Sequence, residues 1–160
     1  MPQKPSNTTS RSKLNRYNAH NLLTNGMSIK VFNLNTVQAK TILGGPIKLV
    51  TTNTEDGTKN QLVAFGVFKP GEGLYPHLHP KSEEIYYVVK GQGTIFVKDQ
   101  KTPMLIKANE IIYIPANTPH CVTNTGNDEL LIAFIMTPGL TPAQYKIAED
   151  TKLLEEKIIK

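Results

Sequence analysis

Apolar residues in this chain come in short runs rich in β-branched and aromatic side chains, separated by clusters of polar turn formers. The runs cover residues 61–68, 84–90, 94–98, 104–107, 111–114 and 130–136, and the breaks fall around Gly71, Gly91, Asn109 and Gly126. Many short strands at regular spacing predict an all-β sandwich or closed barrel. Earlier stretches at 28–32, 37–43 and 47–52 are expected to extend one sheet. The pattern changes at the end of the chain. Thr141-Pro142 is a helix-start signal, and Ile147, Leu154 and Ile158 set among charges predict an amphipathic helix over residues 141–160.

Length then bounds the answer. At 160 residues the chain is one domain, large enough to bury a core without staples. No apolar run is long enough to span a bilayer, so no membrane partner is expected. The single cysteine, Cys121, has no internal partner, which fits a reducing compartment or simply no need for crosslinks, and we expect the cytoplasm. Placed next to His120 on a strand, it should point to the opposite face as a half-buried thiol.

The formal net charge of +5 is unevenly spread. Residues 1–54 hold seven basic side chains and no acid, whereas residues 55–160 hold eleven basic and thirteen acidic ones. The barrel region is therefore nearly neutral, which argues against a nucleic-acid surface. Residues 1–26 are polar and read as a flexible basic arm, ahead of a barrel over 27–140. A transit peptide and a strap around a second subunit are the other readings of that arm.

Candidate chemistry concentrates in two segments. The first holds His77, His79 and Glu84 within eight residues; the second, much later, holds His120. Three neutral imidazoles and one carboxylate suit a borderline divalent metal: iron, manganese, nickel, cobalt, copper or zinc. Residues two apart on an extended chain share a face, so His77 and His79 can aim at one ion. Four protein ligands leave open coordination positions, which makes chemistry on a bound small molecule possible. Glu84 is both a ligand and a candidate proton acceptor. Tyr86 shares its face on a regular strand and is a catalytic candidate, and Tyr75, just before the histidine pair, is a substrate-binding one. On the last strand Phe134 and Met136 share one face, and Ala133 and Ile135 the other. Phe134 and Met136 are carried as substrate-binding candidates, although the sequence leaves open which pair faces inward.

These segments resemble the two motifs of the cupin superfamily. Gly71, His77, His79, Glu84 and Gly91 fall on the fixed positions of the first motif, and Pro115, His120 and Asn124 on those of the second. Asn109 and Asn117 stand where that family usually has glycine; both places favour positive φ, which asparagine tolerates. The resemblance covers about residues 60 to 138. It implies a small single-domain cupin: a double-stranded β-helix, or jelly-roll, barrel with one metal inside its mouth.

An absence narrows the substrate. The arginines are Arg11 and Arg16, both in the arm. Carboxylate and phosphate substrates are usually gripped by a bidentate arginine, so a neutral, aromatic or metal-chelating substrate is expected instead. Three functions follow. The leading one is a dioxygenase acting on an enol, phenol or similar chelator. The second is a redox-silent cyclase, isomerase or lyase of the polyketide-tailoring kind, and the third a binding or storage protein. A small barrel has sheet edges and flat faces to cover, so a homodimer is expected, with residues 28–53 at its interface.

Overall fold

The computed structural model of the protein describes residues 22–24, 27–51, 58, 60–98, 100–140 and 152–153. The chain divides into two units between Thr36 and Val37. In the first unit, β1 (Leu22–Thr24) and β2 (Met27–Ile29) form an antiparallel pair. The rest of the expected arm, residues 1–21, 25 and 26, lies outside the described residues.

The second unit is built of antiparallel strands in two sheets. They are β3 (Lys40–Ile42), β4 (Gly45–Thr51), β5 (Leu62–Phe68), β6 (Gly73–Leu78), β7 (Glu83–Lys90) and β8 (Gln92–Val97). β9 (Met104–Lys107), β10 (Ile111–Ile114), β11 (His120–Thr123), β12 (Leu130–Thr137) and β13 (Lys152–Leu153) complete them. One sheet has six strands in the order β10-β7-β12-β5-β4-β3, the other five in the order β13-β6-β11-β8-β9. The strands around the motifs fall where the sequence put them, and β3 and β4 extend the six-stranded sheet as expected, whereas the stretch expected at 28–32 gives β2, which pairs with β1 in a sheet of its own.

Alternation explains why these stretches are strands. In β5 every second residue from Leu62 to Phe68 is buried, and in β7 Glu84, Tyr86 and Val88 are buried between exposed neighbours. Period two places every second side chain, three or four per strand, against the opposite sheet. The shared interior includes Phe68, Tyr86, Ile95, Val122, Leu130, Ile132 and Phe134. Turn chemistry closes the hairpins. Leu43 and Gly44 both have positive φ (50° and 84°) between β3 and β4, the backbone that a tight two-residue hairpin demands. Asn109 and Asn117 also adopt positive φ, at 71° and 63°, as their positions in the motifs implied.

The expected helix over residues 141–160 falls almost wholly outside the described residues. Residues 141–151 and 154–160 lie outside the described residues, and Lys152–Leu153 form a short strand paired with Leu78 and His77 of β6. Without that pairing β6 would be an edge strand with open N–H and C=O groups, which captures extended chain and opposes a helix at this point. Among the described residues no helix is long and apolar enough to cross a membrane.

Candidate metal centre

His77, His79, Glu84 and His120 converge. One ligand atom from each lies within 4.8 Å of the others, and all four residues are buried. Four different stretches of backbone bring them together. His77 is the penultimate residue of β6, and His120 opens β11, its cross-strand partner. Glu84 sits on β7 of the other sheet, and His79 lies in the segment between β6 and β7. The site thus spans the gap between the two sheets, and its register depends on both.

Backbone carbonyls fix the histidines. His77 Nδ1 lies 2.7 Å from Tyr75 O, and His120 Nδ1 lies 2.8 Å from Thr118 O. A carbonyl only accepts, so each Nδ1 carries the proton and each Nε2 keeps its lone pair for the interior. The Asn117 N–H donates to His79 O at 2.7 Å, tying the segment that carries the second histidine to the turn before the fourth ligand.

Electrostatics hold His77 and Glu84 in the protonation state a metal requires. Burial, with the neighbouring His120 and His79, lowers the pKa of His77 to about 3. Burial alone would raise Glu84, but the close approach of His120 and His79 outweighs it and brings it down to about 2. Glu84 Oε2 lies 3.3 Å from Nε2 of both His79 and His120. Yet Glu84 Oε2 and His120 Nε2 lack hydrogen-bonding geometry to any partner. A buried carboxylate oxygen and imidazole nitrogen left in this way cost free energy unless a cation satisfies both. A neutral His77 imidazole, an ionised Glu84 carboxylate and lone pairs aimed inward fit a single divalent ion.

Around the ligands stand Tyr86, Phe134 and Met136. Tyr86 is fully buried, its ring 5.8 Å from that of His120, and its hydroxyl has no hydrogen-bond partner. Burial first, then the Glu84 charge, pushes its pKa well above the phenol range, so the hydroxyl stays protonated and is a donor. Phe134 packs edge-on against Tyr86 at 4.6 Å, and the two are register partners across β12 and β7. Met136 pairs with Glu84 in the same register. Phe134 and Met136 are buried in the interior, while Ile135 is only half-buried on the outer side, which answers what the sequence left open.

Tyr75 is not brought to the ligands. It is 60% exposed, and its ring covers Gly44, where an added Cβ would approach to 2.5 Å. The cause is a bulge. His120 pairs with His77 but Val122 pairs with Leu74, so the register slips by one residue between them and parity is lost. Leu74 and His77 both face inward, and Tyr75 is turned out. Tyr75 instead lines an outer groove of about 590 Å³ with Glu72, Cys121 and Thr123, and none of the four ligands borders it. Cys121 is half-buried there, and burial raises its thiol pKa, which disfavours the thiolate.

Asn124, which the sequence marked only as a motif position, is a structural tie. Its side-chain amide donates to Phe68 O and Asp128 O, each at 2.8 Å, and its Oδ1 accepts from the Gly126 N–H at 2.9 Å. Its backbone also exchanges hydrogen bonds with the turn before β6, through Gly71 N–H and Glu72 O. The two motifs are thereby joined through main chain.

Comparison with known proteins agrees with this architecture. Residues 64–136 match the cupin domain. An uncharacterized protein from Methanocaldococcus jannaschii is 35% identical over 108 residues, covering 68% of this chain and 79% of that protein. Polyketide synthase CurC of Streptomyces cyaneus is 26% identical over 112 residues, covering 70% of this chain and 71% of that one. Among solved structures, an uncharacterized double-stranded β-helix protein from Klebsiella pneumoniae superposes with a TM-score of 0.62 at 17% identity, covering 79% of this chain and 97% of the other. With both motifs in place on a two-sheet barrel, the chain belongs to the cupin superfamily.

Proposed function

We propose that the protein is a mononuclear metalloenzyme acting on a neutral, enolic or phenolic small molecule, with dioxygen as co-substrate. The carrying observation is the Tyr86 hydroxyl, buried beside the ligand cluster as a donor with no partner in the protein. Such a group is costly to keep unless something that enters the site accepts from it. The buried polar side chains among the described residues include no lysine or arginine, which favours a substrate without a fixed anionic group.

A divalent ion held by His77, His79, Glu84 and His120 would supply Lewis acidity and, if redox-active, electron exchange with dioxygen. The chain's own contribution is positioning and proton handling. Tyr86 donates to a substrate oxygen, and its ring is held by Phe134. Ionised Glu84 is the carboxylate available to receive a hydroxyl proton. Phe134 and Met136 keep the inner wall apolar and water out.

A redox-silent cyclisation or isomerisation on the same substrate class is the second reading, favoured by the similarity to Polyketide synthase CurC. Metal content and oxygen consumption separate the two. Elemental analysis of purified protein is expected to give one iron, copper, nickel or manganese per chain. Oxygen uptake should appear with a panel of β-dicarbonyls and catechols. Zinc alone, with no oxygen uptake in any metal-restored form, would replace the dioxygenase reading by the second.

A further inference from the structure

Tyr75 stands outside the pocket, yet its backbone supports one of the ligands. Its carbonyl accepts from His77 Nδ1 at 2.7 Å, and its N–H donates to Leu43 O at 2.8 Å. Leu43 lies in the turn between β3 and β4 of the six-stranded sheet, and Tyr75 in β6 of the five-stranded one. A hydrogen-bonded path therefore runs from the tip of a hairpin in one sheet to a candidate ligand in the other. The ladder of β6 does not supply this support. β11 pairs with Gly73, Leu74 and His77, and β13 with His77 and Leu78, which leaves Tyr75 and Pro76 without a register partner among the described residues. Pro76 restricts the residue before it to extended backbone, so anchoring the Tyr75 N–H also narrows where the Tyr75 carbonyl points.

The hairpin tip is built against strain. Leu43 has φ of 50°, a region that a bulky side chain seldom enters and keeps only where its surroundings hold it. Two contacts hold it: its side chain packs on the core, and its carbonyl receives the Tyr75 N–H. Gly44 follows with φ of 84°, and a Cβ there would lie 2.5 to 2.7 Å from three atoms of the Tyr75 ring. A Cβ at Gly45 would lie 2.4 Å from Gly73 O. Two adjacent glycines thus let the hairpin press onto β6, and the Tyr75 ring lies on the first of them. At 60% exposure that ring adds little to the core; what it does is keep its own backbone seated against the turn.

We propose that the β3–β4 turn positions His77 for metal binding, and that Tyr75 is the positioning residue through which it does so. The inference rests on the reading of the four ligands as a metal centre and is independent of the reaction. With Tyr75 seated, its carbonyl holds the His77 proton on Nδ1 and leaves the Nε2 lone pair facing inward. With the ring displaced, the carbonyl drifts and the imidazole carries its proton on either nitrogen. One of the four donors is then lost for part of the time. His120 is the internal reference, because its Nδ1 is held by Thr118 O in the segment between β10 and β11.

Two measurements on the full chain test this. Long-range proton–nitrogen correlation spectra of the metal-free protein at neutral pH read the tautomer of each imidazole, and competition with a chelating dye reads zinc affinity. Gly44→Ala pushes a methyl group into the ring, and Tyr75→Ala removes the ring at an exposed site. Both are expected to give mixed tautomers at His77 and to leave the His120 proton on Nδ1. Both should weaken zinc binding about tenfold, the lower end of what losing a ligand's support costs. Tyr75→Phe keeps the ring and should match the wild type. Gly71→Ala carries similar positive-φ strain, at 83°, with nothing within 4 Å of the added Cβ, and should also match it. Wild-type tautomer and zinc affinity in both Gly44→Ala and Tyr75→Ala overturn the proposal. So does an equal change at His77 and His120, an equal effect of Gly71→Ala, or a Tyr75→Phe variant as impaired as Tyr75→Ala. Absence of zinc uptake even by the wild type overturns the metal centre itself, and the His77 tautomer in metal-free protein then still accepts or rejects the hold of the turn.

Discussion

Two backbone carbonyls, Tyr75 O and Thr118 O, fix the tautomers of His77 and His120, and the side chains depend on them. His77→Ala or His120→Ala is expected to lower bound divalent metal at least tenfold, by elemental analysis, with the far-UV spectrum unchanged. Acid should act on the same residues. His77 is lowered from 6.5 to about 3, so between those values the unfolded chain binds the proton and the folded chain does not. Its contribution to stability is whole above 6.5 and declines as pH falls towards 3. Glu84, lowered from 4.5 to about 2, acts in the same direction in the lower window. The thermal midpoint of chelator-treated protein should therefore fall steadily below pH 6.5; a flat profile would contradict the assignment. Tyr86→Phe removes a buried hydroxyl that has no partner, which should leave stability unchanged or raise it by about 1 kcal/mol. Turnover, by contrast, should drop more than metal content, and a parallel loss of metal would remove Tyr86 from the proposed donor role.

At the level of elements, the decisive features are turns and one bulge. Asn124 ties β5, the turn before β12 and the turn before β6 through side-chain and backbone hydrogen bonds. Asn124→Ala would leave three buried or half-buried backbone groups without partners, a cost of about 3 kcal/mol at ~1 kcal/mol each. Equilibrium urea unfolding would measure it, and a loss below 1 kcal/mol would mean that water replaces the amide. The strand periods were legible because inward and outward residues differ sharply in β5 and β7. The slip between His120–His77 and Val122–Leu74 was not, and Tyr75 was therefore given to the pocket although it faces out. Pro76 was the available signal, since proline inside a strand marks an edge or a bulge.

For the molecule as a whole, the metal centre joins the two sheets: His77 and His120 come from one, Glu84 from the other. An ion bound there acts as a cross-link specific to the folded state. Removing it by chelation should lower the thermal midpoint, by ~2.7 kcal/mol of stability if the ion was present at a hundred times its dissociation constant. Differential scanning calorimetry with and without chelator checks this, and restoring the metal should restore the midpoint. The same experiment on His120→Ala should show no difference, because the cross-link is already gone.

Local chemistry was enough to determine a good deal. Ligand identity, the spacing of the two motifs and the run-and-turn pattern specify donors, strands and fold class, because each depends on residues close in sequence. Asn109 and Asn117 could be assigned to positive φ for the same reason. Other features belong to the tertiary structure. That Phe134 and Met136 face inward follows from the pairing of β12 with both β7 and β5, which no single strand encodes. The turning out of Tyr75 needs a register between β6 and β11, and the extended backbone at Lys152–Leu153 needs the open edge of β6.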